Sequence, residues 1–168
     1  SELVLKVIEN TKLKNNTQIA SSLYAGIVSD TNRFLFNTTH ETFKIVSDVI
    51  KKYKLDVEKI YNGVYGKPLS EVRLMGHIAS TMKVDKYGFA HIEVENDILS
   101  SLGADNSAPS NMINDFNNIN EVIVWAFITR DEKNDLYRVN IRSRGPVINE
   151  IAAKYNGGGH KYASGVRT

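Results

Sequence analysis

Cysteine is absent from the 168 residues, which excludes a disulfide framework and any zinc site built on thiolates. A chain without disulfides fits the cytoplasm, and that is the compartment expected here. Long apolar runs are missing as well. The longest, Val122 to Ile128, has seven residues, where a membrane helix needs about 20, so no membrane span is expected. Charge of one sign is also lacking. The 21 basic residues against 19 acidic ones leave a net charge of +2, too little to draw a polyanion through the overall field. Any contact with nucleic acid or nucleotide must therefore come from a local site. Glycine is scarce, 11 residues in all, yet three stand side by side in Asn156-Gly-Gly-Gly-His160.

What is present has the balance of an ordinary globular chain, 42% apolar and 24% charged, with length for one substantial domain or a small one plus part of another. Up to about residue 80 the apolar residues recur at helical spacing. A first helix over 17–28 carries Ile19, Leu23 and Ile27 as its stripe. Thr38-Thr-His-Glu41 has the form of a capping box, with Thr38 and Glu41 as the reciprocal pair, and opens a helix with Phe43, Val46, Ile50 and Tyr53 on one face. A third helix is expected from Asp56. A fourth follows Pro68, with Val72, Met75, Ile78 and Met82 inward.

The period then changes to two. Residues 82–95 predict a hairpin turning at Asp85–Gly88, with Ala90, Ile92 and Val94 alternating against polar neighbours. Short helical pieces are expected near 98–102 and 111–116. Strands over 122–130 and 136–142 flank the polar turn 131–135, being rich in β-branched and aromatic residues. A helix over about 147–155 follows, with Ile148, Ile151, Ala152 and Tyr155 on one side.

That helix runs into the glycines. Gly157 is placed as the left-handed residue after the helix, a conformation glycine enters freely. Gly158 and Gly159 remain. Without side chains there, backbone amides can approach a ligand and form an anion-binding nest. A helical turn opened by His160 would add its free amides and dipole, and His160 can donate to a phosphate oxygen. On spacing alone, a phosphate cradle and a plain loop stand level. Upstream, a strand over 138–142 would put Arg138, Asn140 and Arg142 on one face and Val139 and Ile141 on the other. The apolar face is expected to pack into the core and the polar face to look out. Asp30, at the end of an apolar helix, suits either a turn cap or a hard cation. The four histidines show no paired metal spacing.

Together, Leu23-Tyr-Ala-Gly-Ile27, Asp30-Thr31, Phe34, Arg142-Ser143, Ile151-Ala152, Gly157-Gly-Gly-His160 and Ala163-Ser-Gly165 resemble the DHH/DHHA1 phosphoesterase family. The likeness is closest to its short NrnA-type members, oligoribonucleases that also dephosphorylate 3′-phosphoadenosine 5′-phosphate. The resemblance spans essentially the whole chain. It implies an α/β fold: residues 1–38 as the last part of a DHH domain, 39–80 as a helical connector, and 81–168 as a mixed-sheet DHHA1 domain with helices packed on it.

By the same resemblance, two manganese ions activate a water in the complete enzyme, and Asp30 is the one metal ligand kept here. Arg142, Ser143, Gly157, Gly158, Gly159 and His160 bind substrate phosphate. No Asp-His-His occurs in the sequence, so this chain resembles the C-terminal half of such an enzyme and is expected to be inactive alone. Its partners would be short RNA or DNA oligonucleotides or phosphorylated nucleotides, and a homodimer is an open expectation. Two alternatives stand beside this reading. One is a non-catalytic module binding nucleotides or single strands; the other is part of a cyclic-dinucleotide phosphodiesterase. Asn32 replaces the glycine usual after Asp-Thr, tolerable because asparagine visits positive φ. Asn140 replaces a strand serine and can still donate to phosphate.

Overall fold

The structure is a computed structural model that describes residues 2–11 and 14–168. It divides into two compact units, 1–66 and 67–168, so the stretch read as a connector is shared between them.

The first unit is helical: α1 (Glu2–Glu9), α2 (Thr17–Asp30), α3 (His40–Tyr53) and α4 (Val57–Tyr65). Each boundary has a local cause. The Asn16 side chain caps α2 by accepting from the Ile19 amide at 2.9 Å. Thr39, not Thr38, caps α3, and its reciprocal partner is Thr42 rather than Glu41. Asp56 caps α4 through the Lys59 amide. The core gathers Leu5, Ala20, Tyr24, Ile27, Val28, Val46, Val49 and Leu55.

Helix α1 had no counterpart in the sequence reading; among its described side chains only Leu5 is buried, while Leu3, Val4 and Val7 are exposed. The inward stripe of α2 is also rotated. Ala20, Tyr24, Ile27 and Val28 are buried, whereas Ile19 is exposed. A small alanine and an amphipathic tyrosine carry less hydrophobic signal than the isoleucine beside them.

The second unit holds α5 (Leu69–Thr81), β1 (Lys83–Val84), β2 (Phe89–Val94), α6 (Asn96–Leu102), α7 (Ala108–Met112), a 3₁₀ turn (Ile113–Phe116), β3 (Val124–Asp131), β4 (Leu136–Ser143), α8 (Asn149–Lys154), β5 (Gly158–His160) and β6 (Ala163–Arg167). The strands form one mixed sheet in the order β1-β2-β3-β4-β6-β5. Only the β2–β3 pair is parallel, and parallel neighbours need a long crossover. That crossover is α6, α7 and the 3₁₀ turn.

The expected hairpin is present. Gly88 adopts φ 82°, and the Asp85 carboxylate accepts from the Tyr87 and Phe89 amides at 2.8 and 2.9 Å. Ala90, Ile92 and Val94 point inward as the alternation required. They meet Leu74, Ile78, Leu99, Met112, Ile113, Phe116, Trp125 and Phe127 in a single core. The Trp125 indole donates to the Ile113 carbonyl at 2.8 Å, which satisfies its one polar atom. Phe116 meets Phe127 edge-on at 5.2 Å.

Helix α8 is shorter than expected, and only part of its predicted face is covered. Ile148, just before it, and Ala152 are buried, while Ile151 and Tyr155 are exposed. Among the described residues no helix is long and apolar enough to cross a membrane.

Candidate phosphate-binding site

Strand register places the site. Antiparallel partners share a sheet face, so Trp125, Arg142, Ala163 and His160 form one row across β3, β4, β6 and β5. Phe127, Asn140, Gly165 and Gly158 form the next row, and Thr129, Arg138 and Arg167 a third. One face therefore runs from an apolar half under the helices to a polar, cationic half. The two segments singled out in the sequence, the strand arginines and the glycine run, are brought together by β6 lying between them.

The outlook of β4 is the reverse of that expected. Its polar side faces the helical layer: Asn140 donates to the Ser110 hydroxyl at 2.9 Å, and Arg142 Nε donates to the Asn114 side-chain oxygen at 2.8 Å. Its apolar residues Val139 and Ile141 line an open groove on the other side, with Phe89, Ile123, Ile148 and Ile151. Ser110 and Asn114, four positions apart on one helical turn, were not picked out in the sequence. No local pattern marks them, because the strand they meet lies 28 to 30 residues away.

Arg142 is half-buried, and burial lowers its pKa from the ordinary arginine value. Its hydrogen bonds go to Asn114 and to the Ile141 carbonyl at 3.0 Å. Among the described residues no carboxylate pairs with it. A partly desolvated cation without a counter-charge is costly, and an incoming anion would relieve that cost. His160 stands two strands away, about 10 Å at ordinary strand spacing, with only the methyl group of Ala163 between.

The three glycines differ in what they do. A Cβ on Gly157 would sit 2.3 Å from the Gly165 carbonyl oxygen, and one on Gly159, at φ 140°, 2.4 Å from the Ala163 oxygen. Chain packing forbids side chains at both. Gly158 has no left-handed φ, and a Cβ there meets nothing within 4 Å. The fold leaves that position free.

The left-handed residue after α8 is Asn156, at φ 57°, rather than Gly157, whose amide closes the helix on the Ala152 carbonyl at 2.9 Å. No helical turn starts at His160 either. Residues 158–167 form a tight β-hairpin, which removes a helix dipole from the cradle.

Ser143 lies on the opposite face from Arg142. Its hydroxyl donates to the Pro146 carbonyl at 2.7 Å and accepts from the Gly145 amide at 3.1 Å, so it holds a turn. Asp30 belongs to the first unit, at the end of α2. Thr31 closes that helix through the Ile27 carbonyl at 2.8 Å and accepts from the Phe34 amide at 2.9 Å. Asn32, Arg33 and Phe34 then run through three successive positive φ values of 47°, 62° and 65°. Asparagine does fill the left-handed position where the family has glycine. Among the described residues no group of three or more His, Asp or Glu could hold a metal ion. A hard cation takes several oxygen ligands, so the described residues do not by themselves fit one.

With this geometry established, sequence comparison gives the class of the molecule. Residues 88–168 match the DHHA1 domain. The chain belongs to the NrnA-type DHHA1 phosphoesterase family and corresponds to its C-terminal half. It is 40% identical over 153 residues to the bifunctional oligoribonuclease and PAP phosphatase NrnA of Bacillus subtilis, covering 90% of this chain and 48% of that protein. It is 34% identical to a probable enzyme of the same description from Streptococcus mutans, covering 100% of this chain and 54% of that one. The crystal structure of an exopolyphosphatase-related protein from Bacteroides fragilis shares the fold, at 30% identity and a TM-score of 0.86, over 98% of this chain and 50% of that one. The chain thus spans about half the length of the curated relatives it matches.

Proposed function

We propose that this chain is the substrate-binding part of a metal-dependent phosphoesterase acting on short oligonucleotides and on 3′-phosphoadenosine 5′-phosphate. The observation that carries the reading is Arg142, a half-buried cation with no carboxylate partner among the described residues, facing His160 across Ala163. Arg142 and His160 grip one phosphate over the small Ala163 floor, while Gly158 lets the ligand approach the edge strand. Recognition through a phosphate, with the sheet rather than base-reading side chains beneath it, favours short substrates with little sequence preference. The relatives' names support the substrate class.

In this reading the ions are manganese, as the resemblance implies. Cleavage needs metal ligands beyond Asp30, so the 168-residue chain with added manganese should release no phosphate from 3′-phosphoadenosine 5′-phosphate. Release at the rate of a complete relative would overturn the assignment. The binding half of the reading is tested by calorimetric titration with 3′-phosphoadenosine 5′-phosphate, a linear dinucleotide and a cyclic dinucleotide. Arg142→Ala and His160→Ala are each expected to weaken binding by about 1–3 kcal/mol, the scale of a hydrogen bond to a charged group. Unchanged affinity in both removes the site. Preference for the cyclic ligand would instead favour a cyclic-dinucleotide phosphodiesterase.

A further inference from the structure

Arg142 is held by neutral groups alone. Its Nε donates to the Asn114 side-chain oxygen at 2.8 Å and its Nη1 to the Ile141 carbonyl at 3.0 Å, and among the described residues no carboxylate forms an ion pair with it. A guanidinium carries five N–H donors. With two engaged, three remain on Nη1 and Nη2, and these form the fork that suits two oxygens of one phosphate.

Asn114 is itself exposed, yet the turn that carries it is fixed on both sides. Ile113, before it, is fully buried, and its carbonyl accepts from the buried Trp125 indole at 2.8 Å. Phe116, two residues after it, is buried edge-on against Phe127 at 5.2 Å. Between them Asp115 is the one carboxylate of the turn Ile113–Phe116, and it accepts from Lys67 Nζ at 2.5 Å. The carboxylate nearest in sequence is thus engaged elsewhere, and an amide stands where a carboxylate would pair with Arg142. Four residues earlier the choice is repeated: the Ser110 hydroxyl, also neutral, accepts from Asn140 at 2.9 Å.

A carboxylate at 114 would satisfy the guanidinium in the free protein, and an incoming phosphate would have to displace it. An amide oxygen accepts the same hydrogen bond and leaves the positive charge uncompensated. We propose that Asn114 is the positioning residue of the phosphate site, fixing the Arg142 guanidinium through Nε without neutralising it, so that its charge stays available to an anion. The inference rests on the reading of Arg142 as a phosphate-binding group. It adds that an amide rather than a carboxylate at 114 decides whether that group can bind an anion at all.

The test is calorimetric titration of the 168-residue chain with 3′-phosphoadenosine 5′-phosphate, paired with thermal melting in the absence of ligand. Asn114→Ala releases Nε and should weaken binding about threefold to tenfold, the change expected from one lost hydrogen bond. Asn114→Asp keeps the side-chain shape and should weaken binding by about thirtyfold or more, because it places a negative charge against the ligand's own. Its melting midpoint should hold or rise, since a half-buried cation gains a counter-charge. In an Arg142→Ala background, Asn114→Ala should change affinity by less than about twofold, because a residue that acts through the arginine has nothing left to hold. A merely structural asparagine would instead lose binding and melting midpoint together in both variants. The assignment is overturned if Asn114→Asp binds as tightly as Asn114→Ala, if its midpoint falls, or if Asn114→Ala weakens the Arg142→Ala chain as much as the wild type. Loss of binding in Arg142→Ala with none in either Asn114 variant removes Asn114 and leaves the phosphate site standing. Wild-type binding in Arg142→Ala removes both.

Discussion

Residues 138, 140 and 142 of β4 turn towards Ser110 and Asn114, whereas 139, 141 and 143 turn towards the other side of the sheet. The first set is polar and lies in the layer covered by helices. The second is largely apolar and lines a groove open to solvent. Alternation thus reports which residues travel together but not which set is covered. On a globular sheet the apolar set usually takes the core side, and here the order is reversed because β3 is apolar on both faces. Trp125 and Phe127 fill the helical side beside Ala126 and Ile128 on the other. Core packing is settled by β2 and β3, which leaves the outer strands β4, β6 and β5 free to carry charge on that same face. The proposed ligand site would then continue the core layer, its arginine held by Asn114 on the turn after α7.

The sharpest way to break this arrangement is through the glycine that chain packing demands. Gly157→Ala would set a Cβ against the Gly165 carbonyl at 2.3 Å and a Val166 methyl at 2.7 Å, prying β6 from the end of α8. A loss of roughly 3 kcal/mol or more is expected, in the range of severe steric substitutions, and chemical denaturation monitored by far-ultraviolet dichroism measures it. A loss below about 1 kcal/mol would mean that the hairpin is not packed as described.

A smaller effect is expected from Ser143 on the groove side. Ser143→Ala removes the hydroxyl that bridges the Pro146 carbonyl and the Gly145 amide, which should cost about 1–2 kcal/mol of stability. Nucleotide affinity should not change, because that hydroxyl faces away from Arg142. Loss of affinity at full stability would return Ser143 to the binding residues and abolish the contrast between the faces. The distinction was not legible in the sequence: Arg142 and Ser143 are adjacent letters, and only strand geometry sends them to opposite sides.

Other features were legible for physical reasons that can be named. The 82–95 hairpin followed from alternation and a glycine turn, and the shared face of 138, 140 and 142 from the two-residue period of a strand. The stripe of α2 was misplaced because Ala20 and Tyr24 are buried through size and shape rather than hydrophobicity. The end of α8 was misassigned because asparagine took the left-handed position that glycine favours. Ser110 and Asn114 escaped because their role depends on a strand 28 to 30 residues away, which local pattern does not reveal.

Gly158 sharpens the comparison most finely, since stability and binding should respond with opposite signs. Its backbone φ is ordinary and the space a Cβ would enter is empty, so alanine is compatible with the fold. Replacing glycine at such a position restricts the unfolded chain and typically stabilises by about 0.4–1 kcal/mol. The added methyl group would project into the cleft bounded by Asn140, Gly165 and Arg167, beside the proposed path of the ligand's phosphate. Gly158→Ala is therefore expected to raise the denaturation midpoint slightly while weakening 3′-phosphoadenosine 5′-phosphate binding by about 1–2 kcal/mol, the scale of one displaced hydrogen bond to an anion. Thermal melting and titration on the same sample read both quantities. If affinity is kept, this glycine serves neither fold nor ligand and the cleft is not where phosphate sits. If stability falls as it does for Gly157, the open space beside β5 is closed in solution. Only the opposed pair of changes is consistent with a glycine kept bare for the ligand, between two neighbours kept bare for the chain.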